Sequence, residues 1–81
     1  MMAARKRLPV ILGRDAVKVL AKAGFETVMG RGKGSHIVMA KTGHPGILTI
    51  PDHRELDRGT LRAIIRQAGL TVDEFVALLR G

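Results

Sequence analysis

The chain has 81 residues, 46% of them hydrophobic and none of them cysteine. That length suits one domain, and the apolar share supports a packed core rather than disorder. Disulfides and a zinc ribbon are excluded, while fourteen Lys and Arg against seven Asp and Glu, a net charge of +7, favour a polyanionic partner bound through phosphate contacts.

An anionic membrane surface is the physical alternative. No apolar run approaches the length of a spanning helix, however, and no stretch reads as interfacial. The opening residues, Met1 to Arg7, carry charge without an apolar segment, so they are not a secretory signal. They read as a basic arm over 1–7, a candidate for disorder, ahead of one domain over 8–81. A cytoplasmic location is the simplest expectation.

Arg14 to Ala23 is predicted as a helix, with Ala16, Val17, Leu20 and Ala23 along one side and Gly24 where helices often stop. Phe25 to Met29 alternates as a strand does. A glycine-punctuated loop, Gly30 to Gly34, leads to two more strands, His36 to Ala40 and Ile47 to Pro51. Lys41 to Gly46 has the residue types of the turn between them. The second helix is predicted from about Gly59 to Ala68, burying Leu61, Ile64, Ile65 and Ala68 and ending at Gly69. Thr71 and Glu74 then have capping-box spacing for a short last helix burying Val72, Phe75, Val76 and Leu79.

Helix, three strands, helix, short helix is an α+β order. Short connections favour a three-stranded antiparallel sheet covered by helices on one face, which leaves the other face to water or a ligand. Strand alternation gives Ile37 and Met39 to the helices and sets His36, Val38 and Ala40 on the uncovered face.

Basic residues recur every four positions on both helices: Arg14, Lys18 and Lys22 on the first, and Arg58, Arg62 and Arg66 around the second. Such spacing keeps them on nearly one side of each helix, which is also how an ordinary solvated face is built. Together with Arg31 and Lys33 in the glycine loop, they are read as a surface that tracks phosphates. The loop is not a P-loop, because Lys33 is followed by Gly34 rather than Ser or Thr. It is not a dinucleotide fingerprint either, because it leads into a strand.

The three histidines, His36, His44 and His53, match no metal-ligand spacing and have no carboxylate or cysteine cluster beside them. No metal or other cofactor is expected. Nothing places Ser35 in a nucleophile elbow, so a Ser-His-Asp triad is not indicated. His44, in a Pro/Gly turn, is read as a solvent residue and His53 as structural. His36 stands apart because cations precede it, and they would stabilise charge developing on a phosphorane while it moves a proton. A catalyst and a non-catalytic RNA-binding module both fit this basic surface. With Phe25 and Phe75 both assigned to the core, the chain lacks the stacking platform of an RRM.

Lys22-Ala23-Gly24-Phe25, then Gly34-Ser35-His36, then Gly59-Thr60-Leu61 with Ile65-Arg66-Gln67-Ala68-Gly69-Leu70, resembles the HicA (YcfA-like) toxin family over roughly Leu8 to Leu79. The resemblance implies a double-stranded-RNA-binding-like α-β-β-β-α fold with the short C-terminal helix added. It also implies an endoribonuclease toxin that cleaves mRNA and is neutralised by a HicB-type antitoxin from an adjacent gene, in a hetero-oligomer. The family's catalytic histidine falls on His36. Arg31, Lys33, Ser35, Lys18, Lys22, Arg62 and Arg66 are the expected RNA-binding residues.

Overall fold

A computed structural model describes residues 8–28, 36–52 and 54–81. The expected arm over 1–7, the loop carrying Arg31, Lys33 and Ser35, and His53 lie outside the described residues.

The chain enters through strand β1 (Ile11–Leu12) and turns at once into helix α1 (Gly13–Lys22). Strands β2 (Glu26–Thr27), β3 (His36–Ala40) and β4 (Leu48–Pro51) follow, then a short strand β5 (Glu55–Leu56), and helices α2 (Arg58–Gln67) and α3 (Val72–Arg80). The three-stranded sheet has the order β2-β3-β4 and both its pairings are antiparallel. This is the α-β-β-β-α arrangement expected from the sequence, with α3 appended.

Helices α1 and α2 both pack over β4, and α3 closes against α1 and α2. Met39, Leu48 and Ile50 of the sheet meet Ala16, Val19, Leu20, Leu61, Ile64, Ile65, Phe75 and Val76 of the helices in one core, with Ile37 at its margin. Burial decides the stability of α2 over propensity. Gly59 in its first turn costs roughly 1 kcal/mol relative to alanine. Burying Leu61, Ile64 and Ile65, each at most 4% exposed, contributes about 1.5–3 kcal/mol apiece.

Both long helices end in the same way. After α1, Gly24 N–H donates to Ala21 and Phe25 N–H to Leu20; after α2, Gly69 N–H donates to Arg66 and Leu70 N–H to Ile65. These are Schellman closures, and they need a left-handed residue at the glycine, where φ is 102° at Gly24 and 78° at Gly69. The closure takes Phe25 out of the strand predicted for it. Its N–H serves the helix end and its ring enters the core, so β2 begins at Glu26.

Three further details differ from the sequence expectation. Val19 is buried in α1, while Val17 and Ala23 are only half-buried, so the apolar stripe is rotated toward α3 and β4. Val72 and Leu79 of α3 are likewise half-buried at the core margin. Strands β1 and β5 form a second, two-stranded antiparallel ribbon, pairing Ile11 with Leu56 and Leu12 with Glu55. Gly13 fits beneath it: its N–H donates to Arg54, and a Cβ there would overlap the Pro51 carbonyl oxygen.

Candidate functional site

Alternation along β3 holds in three dimensions. Met39 and Ile37 face the helices, whereas Val38 stays outside the core cluster and His36 is exposed. The register pairs His36 with Pro51 and Val38 with Thr49, and Val28 N–H donates to Val38 from the other side. The face away from the helices therefore carries His36, Val38, Ala40, Val28, Thr49 and Pro51. It is not bare: Val38 is only 7% exposed.

His36 sits at the first residue of β3, where the chain leaves residues 29–35 and enters the sheet. Among the described residues it makes no hydrogen bond or ion pair. Among the described residues no carboxylate orients the ring in the manner of a catalytic triad. What the position offers is a solvent-facing imidazole on an ordered strand end, able to accept or donate one proton.

The helix cations occupy the other layer. Lys18 and Lys22 on α1 and Arg62 and Arg66 on α2 are all exposed. Lys22 has a structural partner, its Nζ donating to the Leu78 carbonyl oxygen at 2.9 Å and so tying α1 to the last turn of α3. Arg58 is also engaged, its Nε donating to the Leu8 carbonyl oxygen at 2.8 Å. Lys18, Arg62 and Arg66 make no ion pair among the described residues. These side chains and His36 belong to different faces of the sheet, and the structure shows no contact joining them.

His44 departs from its expected place in solvent. Its Nε2 donates to the Gln67 carbonyl oxygen at 2.7 Å, and its ring meets Phe25 edge-on with centroids 5.1 Å apart. Half-buried there, it pins the β3–β4 turn to the C-terminal end of α2. The Pro/Gly setting of His44 gives no hint of this, because its partners lie 19 and 23 positions away.

At the start of α2, Asp57 caps the helix by accepting from the Thr60 N–H at 2.7 Å. That backbone hydrogen bond, ahead of the Thr60 side chain, holds the Asp57 carboxyl below the ordinary carboxylate range, and desolvation only partly opposes it. Among the described residues no three of His, Asp or Glu cluster where a metal ion would be held. Among the described residues no helix is long and apolar enough to cross a membrane.

No curated protein matches the chain at a meaningful level. The family model described as the HicA toxin of bacterial toxin–antitoxin systems does, over residues 13–70, which runs from the first residue of α1 to the residue closing α2. That match takes in His36 and both cation rows, and it covers most of the chain. The protein belongs to the HicA family of bacterial toxins, which act as one half of a toxin–antitoxin pair.

Proposed function

We propose that this toxin is a metal-independent endoribonuclease that cleaves mRNA and so stops translation, with His36 as the proton-transfer group. The observation that carries the reading is the placement of His36: exposed, without a hydrogen-bond or ion-pair partner among the described residues, and held by β3 on the sheet face that the helices leave uncovered. In the reaction a ribose 2′-hydroxyl attacks the adjacent phosphorus, forming the O2′–P bond as the P–O5′ bond breaks. His36 takes the 2′-hydroxyl proton, and a proton is returned to the departing 5′-oxygen. The products are a 2′,3′-cyclic phosphate and a 5′-hydroxyl. Arg31 and Lys33 neutralise phosphate charge and Ser35 contacts the strand beside the histidine. Lys18, Arg62 and Arg66 hold RNA through the helix layer, while Lys22, expected beside them, is engaged with the Leu78 carbonyl oxygen.

The antitoxin half of the pair is of the HicB type on this reading. An acidic segment of it covers the approach to His36, since occluding the imidazole and neutralising the cations both silence the site. A second reading, an RNA-binding module that acts by occupancy alone, is favoured by the lack of a side chain orienting His36 among the described residues. One experiment separates the two. Wild type and His36→Ala are expressed with and without the neighbouring gene, and growth and RNA ends are recorded. A catalyst loses growth inhibition and cleavage in His36→Ala while still binding RNA, whereas an occupancy module keeps its effect. Restoration of growth by the neighbouring gene supports the antitoxin assignment.

A further inference from the structure

The ribonuclease reading leaves a geometric gap: the helix cations lie in one layer and His36 on the opposite sheet face, so a bound strand must cross an edge of the sheet. β2 is such an edge, and at its end lies an open depression of about 650 Å³ lined by Gly24, Glu26, Thr27, Val28, Ala40, Lys41 and Thr42. Its walls come from both faces. Glu26 pairs with Ala40 on the face of His36, while Thr27 pairs with Met39 on the helix side.

Within it Lys41 is held in place. Its Nζ lies 5.5 Å from the centroid of the Phe25 ring, a cation–π contact. Its stem crosses Gly24 so closely that a Cβ there would stand 3.2 Å from Cε. The glycine that closes α1 thus also gives the lysine its path. Among the described residues neither Lys41 nor Glu26 has an ion-pair partner, so one fixed positive and one free negative group face the same depression.

We infer that this depression is a nucleotide subsite of the RNA-binding surface: Lys41 takes a backbone phosphate, and Glu26 accepts hydrogen bonds from the Watson–Crick edge of that nucleotide's base. The inference rests on the ribonuclease reading and names where the strand crosses between layers. Ala40 stands four residues along β3 from His36, about 13 Å at strand rise, so the nucleotide bound there is a few positions from the one cut. Single strands expose their base edges. A carboxylate matches the N1–H and N2–H pair of guanine, whereas uracil offers one imino donor and no amino group. Guanine is therefore the preferred occupant.

The test uses the full chain carrying His36→Ala, so that RNA is bound without being cut, and fluorescein-labelled single-stranded oligoribonucleotides titrated over a range of KCl concentrations. Adding Lys41→Met keeps a stem of similar length on Phe25 and removes one charge. The slope of log affinity against log salt should become shallower by about 0.7, the single-strand value for one phosphate contact. An unchanged slope in a variant with an unchanged melting temperature overturns the subsite. Where Lys41→Met melts lower, the slope is read well below its melting midpoint and beside Lys41→Arg: a slope lost in Lys41→Met and restored in Lys41→Arg supports the subsite, and one that is the same in both variants overturns it.

Adding Glu26→Gln instead should abolish a preference for guanine over uracil at one position, about tenfold for a bidentate pair; a retained preference overturns the base assignment. Should the His36→Ala parent bind none of the oligonucleotides, the ribonuclease reading fails and the subsite falls with it. Full binding with no contribution from Lys41 or Glu26 removes the subsite alone.

Discussion

His36 and Gly13 show two opposite ways in which one side chain matters. His36 is exposed and makes no hydrogen bond or ion pair among the described residues, so truncating it leaves no buried group of theirs unsatisfied. His36→Ala should therefore change stability by no more than about 0.5 kcal/mol, as surface substitutions do, while abolishing cleavage. Urea unfolding beside an RNA cleavage assay checks both halves. Gly13 carries no chemistry, yet a methyl group there has no room. It would meet the Pro51 carbonyl oxygen with the Asp52 carbonyl oxygen just behind, and α1 would have to move off the strand that pairs with His36. Gly13→Ala should destabilise by about 1–3 kcal/mol through overpacking, visible as a lower urea midpoint with an unchanged slope.

Helix ends govern the next scale. The pKa of Asp57 is lowered in the folded chain, foremost by the Thr60 N–H, so its charged form stabilises the fold. That stabilisation is complete above the pKa Asp57 has when unfolded, and it is lost as the pH falls through the lower, folded value. Acid unfolding followed by circular dichroism should then show Asp57→Asn losing less stability across that acid window than wild type. The cap of α3 is stronger in form, since Thr71 Oγ1 accepts from the Glu74 N–H and Glu74 Oε1 accepts from the Thr71 N–H.

Such ends are what the sequence makes easiest to read. The capping box, Gly24, Gly69 and β3 from His36 to Ala40 all follow from local residue type and period. Contacts made across the chain do not. The ribbon pairing Ile11 with Leu56 has two residues on each side and no alternation long enough to detect. Lys22 reaches Leu78 across 56 positions, and His44 reaches Gln67 from a turn that reads as solvent. Val19 eluded the periodic reading because a helix packed between a sheet and a third helix buries a stripe wider than one row. The exposure of His36 was legible from alternation, but the unshared layers of His36 and the helix cations became plain only once the sheet was placed beneath α1 and α2.

For the whole molecule, charge and layering would jointly set how RNA is held on the proposed ribonuclease reading. A net charge of +7 on 81 residues attracts a polyanion from any side. On that reading, where the strand lies is decided by the cations that remain free after Lys22 and Arg58 have been tied into the fold. With about five phosphate contacts, single-stranded RNA affinity should fall with salt at a log–log slope of about −3.5. A titration of the His36→Ala protein checks this, and a slope near zero would remove phosphate tracking from the mechanism.

On the proposed reading, a partner covering the His36 end of the sheet blocks the chemistry even if RNA still touches the helices. The most direct test of the ribonuclease claim is cleavage of a defined mRNA by the purified toxin in EDTA, with the new ends mapped chemically and His36→Ala run in parallel. Cleavage that persists in EDTA, leaves 2′,3′-cyclic phosphate and 5′-hydroxyl ends, and disappears in His36→Ala is the predicted result. Cleavage that requires Mg²⁺, leaves 3′-hydroxyl ends, or survives in His36→Ala would contradict it.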